Sequence, residues 1–432
     1  MRLEIDALDA AGRGVARSAG KVVFVEGALA GELVEARLLE TKPKFDRARV
    51  TEILRPSASR RAPRCPYFGV CGGCATQHVD ARTQVAAKQR GLEDNLARIG
   101  KLSGKDSAEA MLAPIHGEEW GYRHRARLSV RFVEGKGGAL VGFREKKSTY
   151  VTDMHSCEVL PPRISALIDP LRILIGKLSI RDRVPQVEIA VGEAATVLLF
   201  RHLLPLSGAD NALIREFADS HAVHVWLQSA GPETVAPFHP PVSDALYYDL
   251  PEFGVRIAFQ PSDFTQVNPG VNRLLVSRAL RLLDPQPGER IADLFCGIGN
   301  FSLPLARSGA QVIGFEGSSA LVERARQNAA ANGLVAQFEV ADLFKPNLGA
   351  FGRFDKYLID PPREGAISLV HAIPDEWPRR IVYVSCDPAT LARDADVLVH
   401  NKGFRLCSAG VVNMFPHTAH VESIALFERD GG

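Results

Sequence analysis

No apolar run in the 432-residue chain approaches the roughly 18–20 residues that would cross a bilayer. The opening Met1-Arg-Leu-Glu-Ile-Asp6 puts charge where a secretion signal needs an apolar core. A cytoplasmic protein with no membrane attachment is therefore expected. Internal repeats and low-complexity tracts are absent. Charge of one sign is lacking too: the formal net charge is +2, which excludes a polycation. Seven cysteines, an odd number in a long chain, exclude a disulfide scaffold and point to metal binding or catalysis. A hydrophobic share of 46% with 24% charged residues is that of a globular protein, and the length suits two or three domains.

The charge that is present is unevenly spread. Between residues 41 and 65, Lys42, Lys44, Arg47, Arg49, Arg55, Arg60, Arg61 and Arg64 face only Asp46 and Glu52. Between residues 120 and 150, Arg123, Arg125, Arg127, Arg131, Lys136, Arg144, Lys146 and Lys147 face Glu134 and Glu145, interleaved with Trp120, Tyr122, Phe132 and Phe143. Such stretches suit either an RNA-binding face with stacking side chains or a solvated surface.

Residues 1–55 read as short alternating strands separated by glycines (Leu3–Leu8, Lys21–Val25, Leu33–Leu39, Arg47–Leu54), as in a small OB-like barrel. A Pro/Ser/Arg linker follows over 56–63. The middle predicts a helix over Val79–Arg98, then strands within an α+β domain, among them Arg125–Phe132, Val187–Val191 and Val223–Leu227. From Asn268 onward strands and helices alternate, which implies a doubly wound, mostly parallel sheet.

Asp293-Leu-Phe-Cys-Gly297-Ile-Gly299-Asn300 closes the first of these strands and opens a helix. Ser302 stands where a dinucleotide fingerprint wants its third glycine, so a pyrophosphate is disfavoured. Glu316 ends the next strand, where a carboxylate can accept bonds from both ribose hydroxyls, and Asp342 follows the third, where it suits an adenine contact. Together they favour S-adenosylmethionine. Asp360-Pro-Pro-Arg363 ends the fourth strand, with Arg363 where amine methyltransferases carry an aromatic residue. Cys386 ends the apolar run Arg380–Ser385 and reads either as a buried strand cysteine or as a nucleophile facing a bound cofactor. A thiol suits a carbon target such as uracil C5: thiolate addition at C6 makes C5 nucleophilic, and a base then removes the C5 proton. Glu422 is the candidate base. Cys65, Cys71, Cys74 and the distant Cys157 could hold a [4Fe–4S] cluster or a structural zinc.

With these motifs assembled, the chain resembles the RNA uracil-5-methyltransferase family, in particular its iron–sulfur branch acting on 23S ribosomal RNA. The likeness rests on Asp263-Phe-Thr-Gln266-Val-Asn268, Asp293–Asn300, Glu316-Gly317, Val384-Ser-Cys386-Asp-Pro-Ala and Met414-Phe-Pro-His-Thr-Ala-His-Val-Glu422. It implies an α/β fold: an OB-like TRAM barrel (1–58), a central α+β iron–sulfur domain (59–265) and a class I, Rossmann-like methyltransferase domain (266–432). It further implies that Gln266, Phe295, Asn300, Glu316, Asp342 and Asp360 bind S-adenosylmethionine. Cys386 would be the nucleophile, Glu422 the base, and Cys65, Cys71, Cys74 and Cys157 the ligands of a [4Fe–4S] cluster. The implied substrate is a uridine of the 1939 type in 23S RNA, methylated by a monomer. Asp360-Pro-Pro-Arg363 resembles the transfer-RNA branch equally, which keeps a tRNA or another ribosomal site as the alternative. Two other classes remain: an iron–sulfur electron carrier, in which Cys386 is dispensable, and a non-catalytic RNA-binding module.

Overall fold

The computed structural model describes residues 1–9, 11–102, 110–241 and 246–429. Six strands come first: β1 (Arg2–Glu4), β2 (Ala7–Leu8), β3 (Gly14–Ser18), β4 (Lys21–Glu26), β5 (Leu33–Thr41) and β6 (Phe45–Arg55). Their order in the sheet is β1-β5-β6-β4-β3-β2. The expected first strand, Leu3–Leu8, is broken at Ile5 and Asp6, and its halves pair with opposite edges: Leu3 opposite Val34, Ala7 opposite Val15. One length of chain thus closes the sheet into a barrel. Its filling is small and apolar, from Leu3, Ile5, Ala16, Val23, Val25, Val34, Ala36 and Ala48.

Helix α1 (Ala81–Arg98) starts where Asp80 accepts a hydrogen bond from the Thr83 N–H. Its buried Leu92 and Leu96 share a core with residues near the end of the chain, not with the barrel. The central sheet contains β7 (Arg125–Val133), β8 (Gly138–Gly142), β9 (Gln186–Val191), β10 (Thr196–Arg201), β11 (His224–Gln228) and β12 (Ala236–His239). It has the order β12-β11-β10-β9-β7-β8. Helices α2 (Pro162–Ser165), α3 (Ile168–Lys177) and α4 (Gly208–His221) accompany it. A separate hairpin follows, β13 (Tyr247–Leu250) with β14 (Val255–Ala258).

The last part alternates as expected: α5 (Pro269–Leu283), β15 (Arg290–Leu294), α6 (Ser302–Arg307), β16 (Gln311–Glu316), α7 (Ser319–Ala331), β17 (Gln337–Val340) and β18 (Lys356–Ile359). Then come α8 (Ile367–Ala372), β19 (Arg380–Ser385), α9 (Pro388–His400), β20 (Arg405–Val412) and β21 (Glu422–Glu428). The sheet order is β17-β16-β15-β18-β19-β21-β20. Order reverses between β15 and β18, the kind of point at whose carboxyl edge open α/β sheets bind ligands. Only β21 runs against its neighbours, so its first residues lie at the edge where β15, β16, β18 and β19 end.

Backbone closeness at one glycine sets this sheet's outer half. A Cβ on Gly314 would stand 2.7 Å from Phe338 Cδ1 and 2.8 Å from Cys296 Sγ. Gly314→Ala is therefore expected to destabilise the protein by about 1–3 kcal/mol, seen as a lower urea midpoint at constant slope. A wild-type midpoint would mean that Phe338 swings aside at no cost.

Candidate active site

The turn after β15 is built against backbone preference. Phe295 has φ 68°, rare for a bulky residue, with Gly297 at 54° and Gly299 at 97°. The conformation is held because the Phe295 and Cys296 N–H groups both donate to the Phe315 carbonyl at the end of β16 (2.9 and 3.0 Å). Glu316, next along, accepts from the Gly297 N–H (3.2 Å) and the Ser318 N–H (3.0 Å). Its carboxylate therefore borders the glycine turn. Asp342, exposed, accepts from the Phe344 N–H (3.0 Å), and the Phe344 ring meets Phe295 edge-on at 5.8 Å. Two aromatic rings beside two carboxylates can hold a flat, hydroxyl-bearing group. Phe344 was not among the expected residues; it lies in an irregular segment with no motif to mark it.

Asn300 is fixed by partners that the sequence did not announce. Its Oδ1 accepts from the Tyr248 hydroxyl and from Asn272 Nδ2 (both 2.9 Å), and its Nδ2 donates to Asn272 Oδ1 (3.0 Å). Gln266 shares a small crevice with Tyr248 and Asn272. The loop carrying Gln266 is pinned from both sides. Arg125 donates to the Asp263 and Pro261 carbonyls, and Arg324 pairs with the Asp263 carboxylate at 2.7 Å.

At the other end of the carboxyl edge, β19 delivers Cys386 and the reversed β21 begins with Glu422. Ser385 is opposite Ser423 in the ladder, so the thiol and the carboxyl emerge side by side. The Asp387 side chain caps α9 by accepting from the Ala389 N–H (2.9 Å), which holds Cys386 between strand end and helix start. Cys386 is partly exposed, and its thiol is pushed up to about 12, chiefly by burial and then by the charges of Glu422 and Asp360. Glu422, 4% exposed, is held well above the usual carboxylate range by burial, with Asp360 adding to it. Asp360 is raised to about 7 by burial and by Asp293. Its N–H donates to the Leu294 carbonyl (3.1 Å), tying the two central strand ends together. Thiol and carboxyls thus sense one another across one acidic, half-shielded mouth, where a cation would be welcome.

Cys65, Cys71, Cys74 and Cys157 are free thiols that line one cavity, together with Gln77, Arg123, Phe143 and Met154. Burial pushes Cys74 up to about 11 and Cys157 to about 12, and the sulfurs raise one another further. The Gly73 N–H donates to Cys71 Sγ (3.3 Å). Among the described residues, no three His, Cys, Asp or Glu side chains stand close enough to share a single ion.

Three of the four aromatic residues of the expected stacking face are engaged within the protein, while Phe132 lines an open cleft. Tyr122 is 3% exposed and donates to the Pro416 carbonyl (2.9 Å), Trp120 stacks on His417 at 3.9 Å, and Phe143 faces the cysteine cavity. His417 is tied to Gln84. Many basic residues are also engaged, Arg49 and Lys147 with Glu26, Arg60 with Glu32, Arg64 with Glu158 and Arg127 with Glu188. Two clefts of about 700 and 770 Å³ meet at Glu145. Arg13, Lys146 and Lys147 line the first, and Arg131, Lys136, Arg144 and the 74%-exposed Tyr150 belong to the second.

Comparison with known proteins bears on the whole chain. Residues 1–51 match the TRAM domain, and residues 252–430 match the family described as tRNA (Uracil-5-)-methyltransferase. The chain is 61% identical to the 23S rRNA (uracil(1939)-C(5))-methyltransferase RlmD of Thiobacillus denitrificans, over 99% of both chains. It is 58% identical to the protein of the same name from Nitrosospira multiformis, over 98% of both. A solved structure, the Pyrococcus abyssi tRNA (uracil-54, C5)-methyltransferase in complex with S-adenosyl-L-homocysteine, matches with a TM-score of 0.76 over 99% of each chain. At 24% identity, that match establishes a shared fold. The expected architecture, a TRAM barrel ahead of a methyltransferase sheet, is borne out. From the barrel to the last strand, the chain belongs to the RNA uracil-5-methyltransferase family.

Proposed function

We propose that this protein methylates C5 of one uridine in 23S ribosomal RNA, at the 1939-type site named for its relatives, with S-adenosylmethionine as methyl donor. The observation that carries this reading is the meeting of Cys386 and Glu422 at the carboxyl edge of the sheet. Cys386, its proton given up to water, adds as the thiolate to C6 of the flipped-out uracil, and the π electrons of the C5–C6 bond move onto C5 and O4, so that C5 can bond to a donated methyl group. S-adenosylmethionine, when bound, supplies an electrophilic methyl group and a positive charge in this acidic mouth. Glu422 then takes the C5 proton, the C5–H electrons restore the C5–C6 double bond, and the C6–S bond breaks to return the thiolate. Glu316 is assigned to the ribose hydroxyls, Asp342 and Phe295 to the adenine, and Gln266, Asn300 and Asp360 to the amino-acid end and the sulfonium. The surroundings of each residue support these roles: a carboxylate beside the glycine turn, paired aromatic rings, and a crevice held open by Tyr248 and Asn272. The clefts around Lys146 and Tyr150 suit an RNA backbone and an unstacked base.

The reading divides the chain at 1–58, 59–265 and 266–432, and places a monomeric enzyme in the cytoplasm. It assigns a [4Fe–4S] cluster to Cys65, Cys71, Cys74 and Cys157. Four thiols around one cavity favour it. Bound by four thiolates, such a cluster supplies structure or electron transfer. The chain's own contribution is to bury the sulfurs and to direct the Gly73 N–H at one of them.

Wild-type protein is expected to move labelled methyl from S-adenosylmethionine into 23S RNA and not into transfer RNA. Cys386→Ala should transfer none, and Glu422→Gln should slow turnover roughly 10²–10⁴-fold while leaving an RNA–protein adduct that survives denaturing electrophoresis. Label equal to wild type in Cys386→Ala would reject the mechanism. Replacing Glu316 by Gln removes a charged acceptor worth about 1.5–3 kcal/mol, so calorimetry should find the donor bound roughly 10–100-fold more weakly. Unchanged affinity would move the ribose elsewhere. Protein purified without oxygen should carry about four iron and four sulfide per chain; zinc without sulfide would replace the cluster by a single-ion site.

A further inference from the structure

The segment 413–421, which leads into Glu422, is held from outside its own sheet. The Ala75 and Thr76 N–H groups, immediately after Cys74, both donate to the His417 carbonyl (2.8 and 3.1 Å). Gln84 on α1 accepts from the His417 N–H (2.9 Å), and its amide nitrogen meets His417 Nδ1 at 3.1 Å. Lys88, one turn further along α1, donates to Asn413 Oδ1 (2.8 Å) and to the Phe415 carbonyl (2.9 Å). His417 itself has φ 64°, a conformation that non-glycine residues keep only when their neighbours enforce it. Gln84 and Lys88 are 4% and 7% exposed. Helices seldom bury such residues without a specific partner. For Lys88 the cost is visible, because burial alone pushes its ammonium down to about 7.

We infer that Gln84 and Lys88 are positioning residues for Glu422, clamping residues 413–421 so that the carboxylate meets the C5 proton of the adducted uridine. The inference rests on the assignment of Cys386 as nucleophile and Glu422 as base. It separates the two halves of the reaction. Addition of the thiolate to C6 needs only β19 and α9. Elimination needs the base in place: Glu422 accepts the C5 proton, the C5–H electrons form the C5–C6 double bond, and the C6–S electrons leave with Cys386. A displacement of about 1 Å in such a group can cost 10²-fold in rate.

The test compares Lys88→Met, which keeps length and apolar volume, with Asn413→Ala, which removes one of its two acceptors. Both are assayed beside Glu422→Gln with full-length protein and 23S RNA. Expected are a fall in kcat of at least about tenfold with KM unchanged, and a covalent RNA–protein band that wild type lacks. Cys386→Ala placed in the Lys88→Met background should abolish that band. Loss of activity in a folded Lys88→Met or Asn413→Ala without the band overturns the inference, as does wild-type turnover in both. If Lys88→Met fails to fold, Asn413→Ala decides by the same band. Absence of the band from Glu422→Gln itself would instead overturn the underlying assignment of the base.

Discussion

One strand laid against the direction of its neighbours organises this molecule. In a wholly parallel sheet the carboxyl edge gathers only the ends of strands. By running backwards beside β19, β21 brings the beginning of a strand to that edge, and the residue there is Glu422. A carboxyl and a thiol from segments 36 positions apart are thereby held by a ladder, among the most rigid devices a protein has. The capped start of α9 fixes the thiol's backbone, and the switch point between β15 and β18 lies one strand from β19.

The electrostatics follow from the same convergence. Burial and mutual repulsion hold Asp293, Asp360, Glu422 and the Cys386 thiol all above their ordinary values, which favours the protonated forms. A site with so many prospective anions suits positive charge, and under the proposed reading a sulfonium would supply it.

Much of this was legible in the chain itself. Alternating segments after Asn268, the Gly297–Gly299 turn and the strand-end acids at 316, 342 and 360 all fell where the sequence placed them. The strand Arg405–Val412 did not, because its run is buried without alternation and its pairing slips between Leu406 and Ser408. Helix α9 carries its own signal, Asp387 followed by proline at the first helical position. Local charge counts misled for a physical reason. The carboxylates that neutralise Arg49, Arg64 and Arg127 lie 23 to 94 residues away, at Glu26, Glu158 and Glu188. Lys88 was invisible, since a lysine on an amphipathic helix reads as solvated until its oxygen partners, more than 300 residues on, are known.

The barrel carries a vulnerability of a different kind. Because Arg2–Glu4 and Ala7–Leu8 close opposite seams, losing the first eight residues would strip β5 and β3 of one strand partner each at the same moment. Two raw hydrogen-bonding edges would then face solvent, and bare edges recruit other chains. An affinity tag is consequently safer at the far terminus, and clipping near the start would turn a module built to grip nucleic acid into a seed for aggregation.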